Sequence, residues 1–191
     1  MTENTADAAA FHQALGNFLT RFSEIEALMQ RTLWRLAGVG PPTAQALFSG
    51  VRLEAAMQYI SRIAAAEQWN AHRKAQIQHI FSQLGLINKL RNHILHYGAE
   101  PEGPNTWIIT NKHFAHVPQN VSRIAISPTT LDDARYDLDK IEYHLIFLVS
   151  GTSVRAPDQE EIDAVLGRAW RYKSPPQADD RQTTPDSRQA T

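Results

Sequence analysis

Arg91, Asn92 and His96 are the residues of this chain whose types and spacing point most directly to chemistry. A guanidinium stays charged at physiological pH and offers five donors in a planar fork that suits phosphate. An imidazole titrates near neutral pH, so it can take and return a proton in one reaction cycle. Together they are the minimum apparatus for metal-free RNA cleavage, in which the ribose 2′-hydroxyl is the nucleophile and the protein moves protons and stabilises charge. Lys89, His93 and Tyr97 stand within the same two turns. Lys89 reads either as an attraction for phosphate or as a solvated lysine. Tyr97 reads either as a ring that stacks a base or as helix-end packing.

These residues close a helix predicted over about 70–97, ended by Gly98 and by Pro101 beyond it. Its apolar positions Leu84, Ile87, Ile94 and Leu95 recur at helical spacing, and Arg91 stands inside that stripe. An unpaired buried guanidinium is costly, so Arg91 calls for an anionic partner or a polar cleft. Glu26 is the candidate, because it interrupts the stripe of Leu19, Phe22, Met29 and Leu33 in the helix predicted from Phe11 to Leu36. The pair either fixes packing register or orients the guanidinium for a ligand. At about 100° per residue, His96 lies about 140° round from Arg91, so the two border one cleft at most rather than touch on the helix.

A second helical stretch runs over about 44–66 with a break near Ser49-Gly50, and a last long helix follows Ser127-Pro128-Thr129-Thr130, whose hydroxyls cap it. Its inward positions are Leu131, Tyr136 or Asp137, Leu138, Ile141, Leu145 and Leu148. Ala99–Asn105 is turn chemistry, and Trp107–Thr110 with Arg123–Ile126 predict a small hairpin over about 106–127. A fifth, short helix is expected over about 158–170. The expected architecture is an all-α, up-and-down bundle of four to five helices with a small β-hairpin inserted before the last long helix. Residues 1–10 are expected to be a flexible N-terminus, 11–172 one domain, and 173–191 a disordered tail with almost no apolar residues.

Composition narrows the function classes. A net charge of -1 gives no global attraction for nucleic acid, so any RNA contact must be local. The absence of cysteine removes disulfides, thiolate metal sites and a cysteine nucleophile. The small, acidic start is no signal peptide, and no apolar run approaches the roughly 20 residues that span a bilayer, so a cytoplasmic protein without a membrane partner is expected. There is no glycine loop for a nucleotide cofactor, and no cofactor is expected. His93 with His96 and His113 with His116 suggest a four-histidine metal site, but no carboxylate stands at ligand spacing, and surface positions for His113 and His116 are the better reading. Trp34, Trp69, Trp107 and Trp170 are scattered and read as core or interface.

The string Lys89-Leu90-Arg91-Asn92-His93-Ile94-Leu95-His96-Tyr97-Gly98, at the end of a long helix in a helical chain, resembles the motif of the HEPN superfamily: an arginine, a polar residue that is usually Asn, and a histidine four to six residues after the arginine. The resemblance is tight over these ten residues and extends loosely, as helix order, over Phe11 to about Val149, with an acidic position at Glu26. It implies a helical bundle that forms a homodimer with two copies of the motif facing one cleft, and a metal-independent endoribonuclease, in many cases a toxin or defence effector held by an antitoxin or regulatory protein. On that resemblance Arg91 and His96 are catalytic and Asn92 orients them, with Glu26, Lys89, His93 and Tyr97 in support. Members without nuclease activity make a non-catalytic nucleotide-binding or protein-interaction module the alternative. The hairpin is no part of the minimal family bundle.

Overall fold

The computed structural model describes residues 3–150 and 167–175. Its first helix, α1 (Glu3–Leu36), buries Phe11, Phe18, Phe22, Ile25, Met29 and Leu33, all at most 2% exposed, on one stripe. It starts well before the first apolar position of that stripe: residues 3–10, expected to be flexible, are its first turns. The alanine-rich start favours helix without any apolar periodicity to announce it. The helix stops where Gly38 and the prolines at 41 and 42 follow. Those prolines open α2 (Pro41–Phe48), and the expected break at Ser49-Gly50 separates it from α3 (Leu53–Ala66).

The motif lies on α4 (Ala71–Tyr97). The Asn70 side chain caps its start by accepting from the Arg73 amide at 2.8 Å. At its end the Gly98 amide donates to the Ile94 carbonyl at 2.9 Å. Gly98 has φ 71° as a helix-stopping glycine should, but ψ -176° sends the chain off extended rather than curling it back.

That extended exit leads directly into a strand, which corrects the sequence reading of 99–105 as turn. β1 (Glu100–Gly103), β2 (Thr106–Thr110) and β3 (Arg123–Ile126) form an antiparallel sheet in that order, three strands where a two-stranded hairpin was predicted. Pro101 fits because β1 is an edge strand, where a missing amide breaks no ladder. The turn itself shrinks to Pro104-Asn105, with Asn105 at φ 51°. β2 is the buried strand, and its Trp107 stacks on Phe11 of α1 with ring centroids 4.0 Å apart and an interplanar angle of 10°.

The last helix, α5 (Pro128–Ser150), begins with a reciprocal cap: the Thr130 amide donates to the Ser127 hydroxyl and the Ser127 amide donates to the Thr130 hydroxyl, both at 3.2 Å. Leu131, Leu138, Ile141 and Leu145 are fully buried against α1 and α4. Of the pair Tyr136 or Asp137, it is Asp137 that points inward. Most of the predicted fifth helix and most of the tail lie outside the described residues; the described end of that segment, 167–170, is not helical. The fold is thus an all-α bundle with a small sheet between its last two helices. No helix among the described residues is long and apolar enough to cross a membrane.

Candidate functional site at the end of α4

Leu84, Ile87 and Ile94 of α4 are buried as the stripe predicts, but Leu95 is 52% exposed. The stripe therefore runs out in the last turn, and Arg91 sits on its edge rather than within it. The Arg91 side chain is 29% exposed and approaches Glu26 of α1 at 3.6 Å. Its other terminal nitrogen donates to the Asn92 Oδ1 at 3.0 Å, and its carbon lies 5.4 Å from the Phe22 ring centroid. The partner read from the sequence is the one observed, whereas the expected burial is not. A loose ion pair about one-third exposed is worth less than about 1 kcal/mol. What the arrangement supplies is direction: Asn92, Glu26 and the face of Phe22 hold the guanidinium plane.

His96 is exposed on the other side of the helix, with Lys89 exposed about two turns earlier on nearly the same face and His93 half-buried between them. Burial first, then the electrostatic influence of His96 and Lys89, lower the His93 pKa, which favours the uncharged imidazole. Tyr97 closes the helix with its ring 5.8 Å from that of His93, 6.3 Å from that of His96 and 5.6 Å from that of Phe114, which reaches over from the β2–β3 connection. Arg91 and His96 therefore flank the same last turns without touching: the polar contacts of Arg91 run to Asn92 and Glu26. Glu26 also lines a cleft of about 360 Å³ between α1 and the α2–α3 connection, walled by Gln30, Trp34, Val51 and Arg52; that cleft does not extend to His96.

No metal-ligand group of three or more His, Asp or Glu side chains is present among the described residues. His113 and His116 are exposed in the connection after β2, as surface residues.

Three polar groupings have no counterpart in the sequence reading. Arg21 of α1 binds Asp139 at 2.6 Å, Glu24 at 2.7 Å and also Glu142; burial opposes its charge, but these carboxylates outweigh burial and raise its pKa. Asn88, buried on α4, donates to Glu54 of α3. The third is a latch. Asp137 accepts from the backbone amides of Arg171 at 3.0 Å and Tyr172 at 2.9 Å, and from Gln83 of α4 at 2.8 Å, while Gln83 also donates to the Tyr172 carbonyl at 3.0 Å. A paired interruption of two stripes was the signal that found Glu26 and Arg91; the latch gives no such signal because its donors are largely backbone.

No family model, curated protein or solved structure matches this chain.

Proposed function

We propose that the protein is a metal-independent endoribonuclease of the HEPN type, acting as a homodimer, with Arg91 as phosphate clamp and His96 as general acid-base. The observation that carries this reading is the state of Arg91: a guanidinium oriented by Asn92, Glu26 and Phe22, yet loosely enough held and open enough to keep donors for a ligand. A purely structural arginine on this helix would be expected to close its fork on a tight partner, as Arg21 does.

The separation of Arg91 and His96 within one chain is the reason for the dimer. Two copies facing each other place the arginine of one within reach of the scissile phosphate that the histidine of the other serves. In the step proposed, the ribose 2′-oxygen gives its proton to His96 and bonds to phosphorus, the bond from phosphorus to the 5′-oxygen breaks, and that oxygen takes a proton from the imidazolium of the second copy. The products are a 2′,3′-cyclic phosphate and a 5′-hydroxyl, with Arg91 stabilising the charge on the non-bridging oxygens. His93, half-buried and with its pKa lowered by burial, supports the site as a ring beside Tyr97. A toxin or defence role with a protein antagonist accords with this reading.

The test is cleavage of total cellular RNA by purified protein in the presence of a chelator, beside His96→Ala. Discrete fragments ending in cyclic phosphate from the wild type alone support the proposal. Intact RNA in both lanes favours the non-catalytic interaction or nucleotide-binding module, for which the exposure of His96 away from Arg91 is the specific observation.

A further inference from the structure

The connection between β2 and β3 does more than close the sheet. It carries Phe114, 63% exposed, against Tyr97 at the end of the motif helix, so that the rings of His93, Tyr97 and Phe114 follow one another at 5.8 Å and 5.6 Å. A phenylalanine this exposed contributes little to the core, and its one ring contact among the described residues is with the last residue of α4. Hydrophobic burial therefore does not account for its position.

The charges around the row favour one occupant. On the sheet side Lys112 is paired with Glu100 at 2.8 Å, and Arg123 with Glu102, so the insert adds little net charge. On the helix side the last turns of α4, from Lys89 to Tyr97, carry Lys89 and Arg91 and no carboxylate. The rings thus lie between a sheet of nearly balanced charge and a helix end with basic and no acidic side chains. A polyanion that also presents flat aromatic faces matches both halves, and among biological polymers that is a single-stranded nucleic acid, whose unpaired bases are free to stack.

We propose that Tyr97 and Phe114 form a base-stacking platform that takes a single-stranded segment of RNA beside the phosphate handled by Arg91 and His96. The identity of RNA rests on the ribonuclease reading; the stacking itself does not. Through Phe114 the insert supplies a ring that the helices lack, and it selects unpaired over paired RNA because a duplex keeps its base faces covered.

The experiment measures fluorescence anisotropy of a 5′-labelled, mixed-sequence RNA oligonucleotide, single-stranded and as a duplex, with the full chain carrying His96→Ala so that no cleavage intervenes. Phe114→Ala in that background should weaken single-strand binding by about tenfold, from stacking on one base, and Phe114→Trp should restore it, while duplex binding stays weak in all three proteins. Unchanged single-strand affinity in Phe114→Ala overturns the platform, even if the wild type cleaves RNA. The expected pattern upholds it, even if the wild type cleaves nothing. Loss of binding in both Phe114 variants assigns the ring to loop packing and overturns the proposal. So does a change in oligomeric state of Phe114→Ala by light scattering, since that makes the ring a contact between copies.

Discussion

The α4 helix carries polar groups into two very different settings. At Gln83 they enter the latch with Asp137 and the backbone of residues 171 and 172, where each donor finds an acceptor and solvent is excluded. Two to four turns on, at Arg91, Asn92, His93 and His96, they are loosely paired, half-open or exposed. A closed, satisfied network holds the architecture; an open, oriented one is available to a ligand. The contrast predicts that the two regions respond to substitution in opposite currencies, stability for the latch and activity for the motif.

The largest effect expected is on chemistry. His96→Ala should reduce RNA cleavage by about 10²–10⁴-fold, the usual range for a proton-transfer group, while its denaturation midpoint moves within the scatter of surface substitutions because His96 is exposed. If the midpoint falls sharply instead, the motif belongs with the latch and the comparison breaks. Asp137→Ala should do the reverse, costing about 3 kcal/mol in urea unfolding because it strands the Tyr172 amide and the Gln83 side chain in the interior.

The closed region also sets a pH dependence. His144 of α5 is 5% exposed, its Nε2 has no hydrogen bond among the described residues, and burial, then Lys140 of the same helix and His79 of α4, push its pKa down to about 4. An unfolded imidazole titrates near 6.5, so between those values the unfolded chain binds more protons and stability falls as pH drops. The loss is fully developed near pH 4 and amounts to about 3 kcal/mol for such a shift. Asp137, whose pKa is raised by burial, acts with the opposite sign. His144→Leu should therefore flatten the stability profile between pH 6.5 and 4 in thermal melts; a profile as steep as that of the wild type would remove His144 as its source.

The smallest effect sharpens the comparison. Arg91→Ala should cost less than about 1 kcal/mol in stability, since its pair with Glu26 is long and about one-third exposed, yet it should depress cleavage strongly. Urea midpoints and cleavage rates measured on the same preparation check both halves.

Much of this division could be read from the residues. The stripes of α1, α4 and α5 announce themselves by periodicity, and Glu26 and Arg91 are conspicuous because each interrupts one. Their exposure was not legible: it depends on where α4 outruns the core, and Leu95 continues the apolar pattern into solvent. β1 was hidden because Glu-Pro-Glu-Gly has turn composition and becomes a strand only when β2 offers it an edge. The latch was hidden because Asp137 competes with Tyr136 for the inward position and finds its partners in backbone amides. Phe114 belongs to no periodic pattern, so its approach to Tyr97 emerges only from the folded chain.

The exit of the chain at Gly98 has a consequence for how such a molecule changes over time. Because the helix passes straight into β1, and β2 and β3 are locked along the four pairs from Trp107–Ile126 to Thr110–Arg123, the tip from 111 to 122 is bounded by rigid rails on both sides. Residues there can be exchanged, lengthened or shortened without displacing Arg91 or His96. Divergence, natural or directed, can then alter the tip while the helix that carries Arg91 and His96 stays constant.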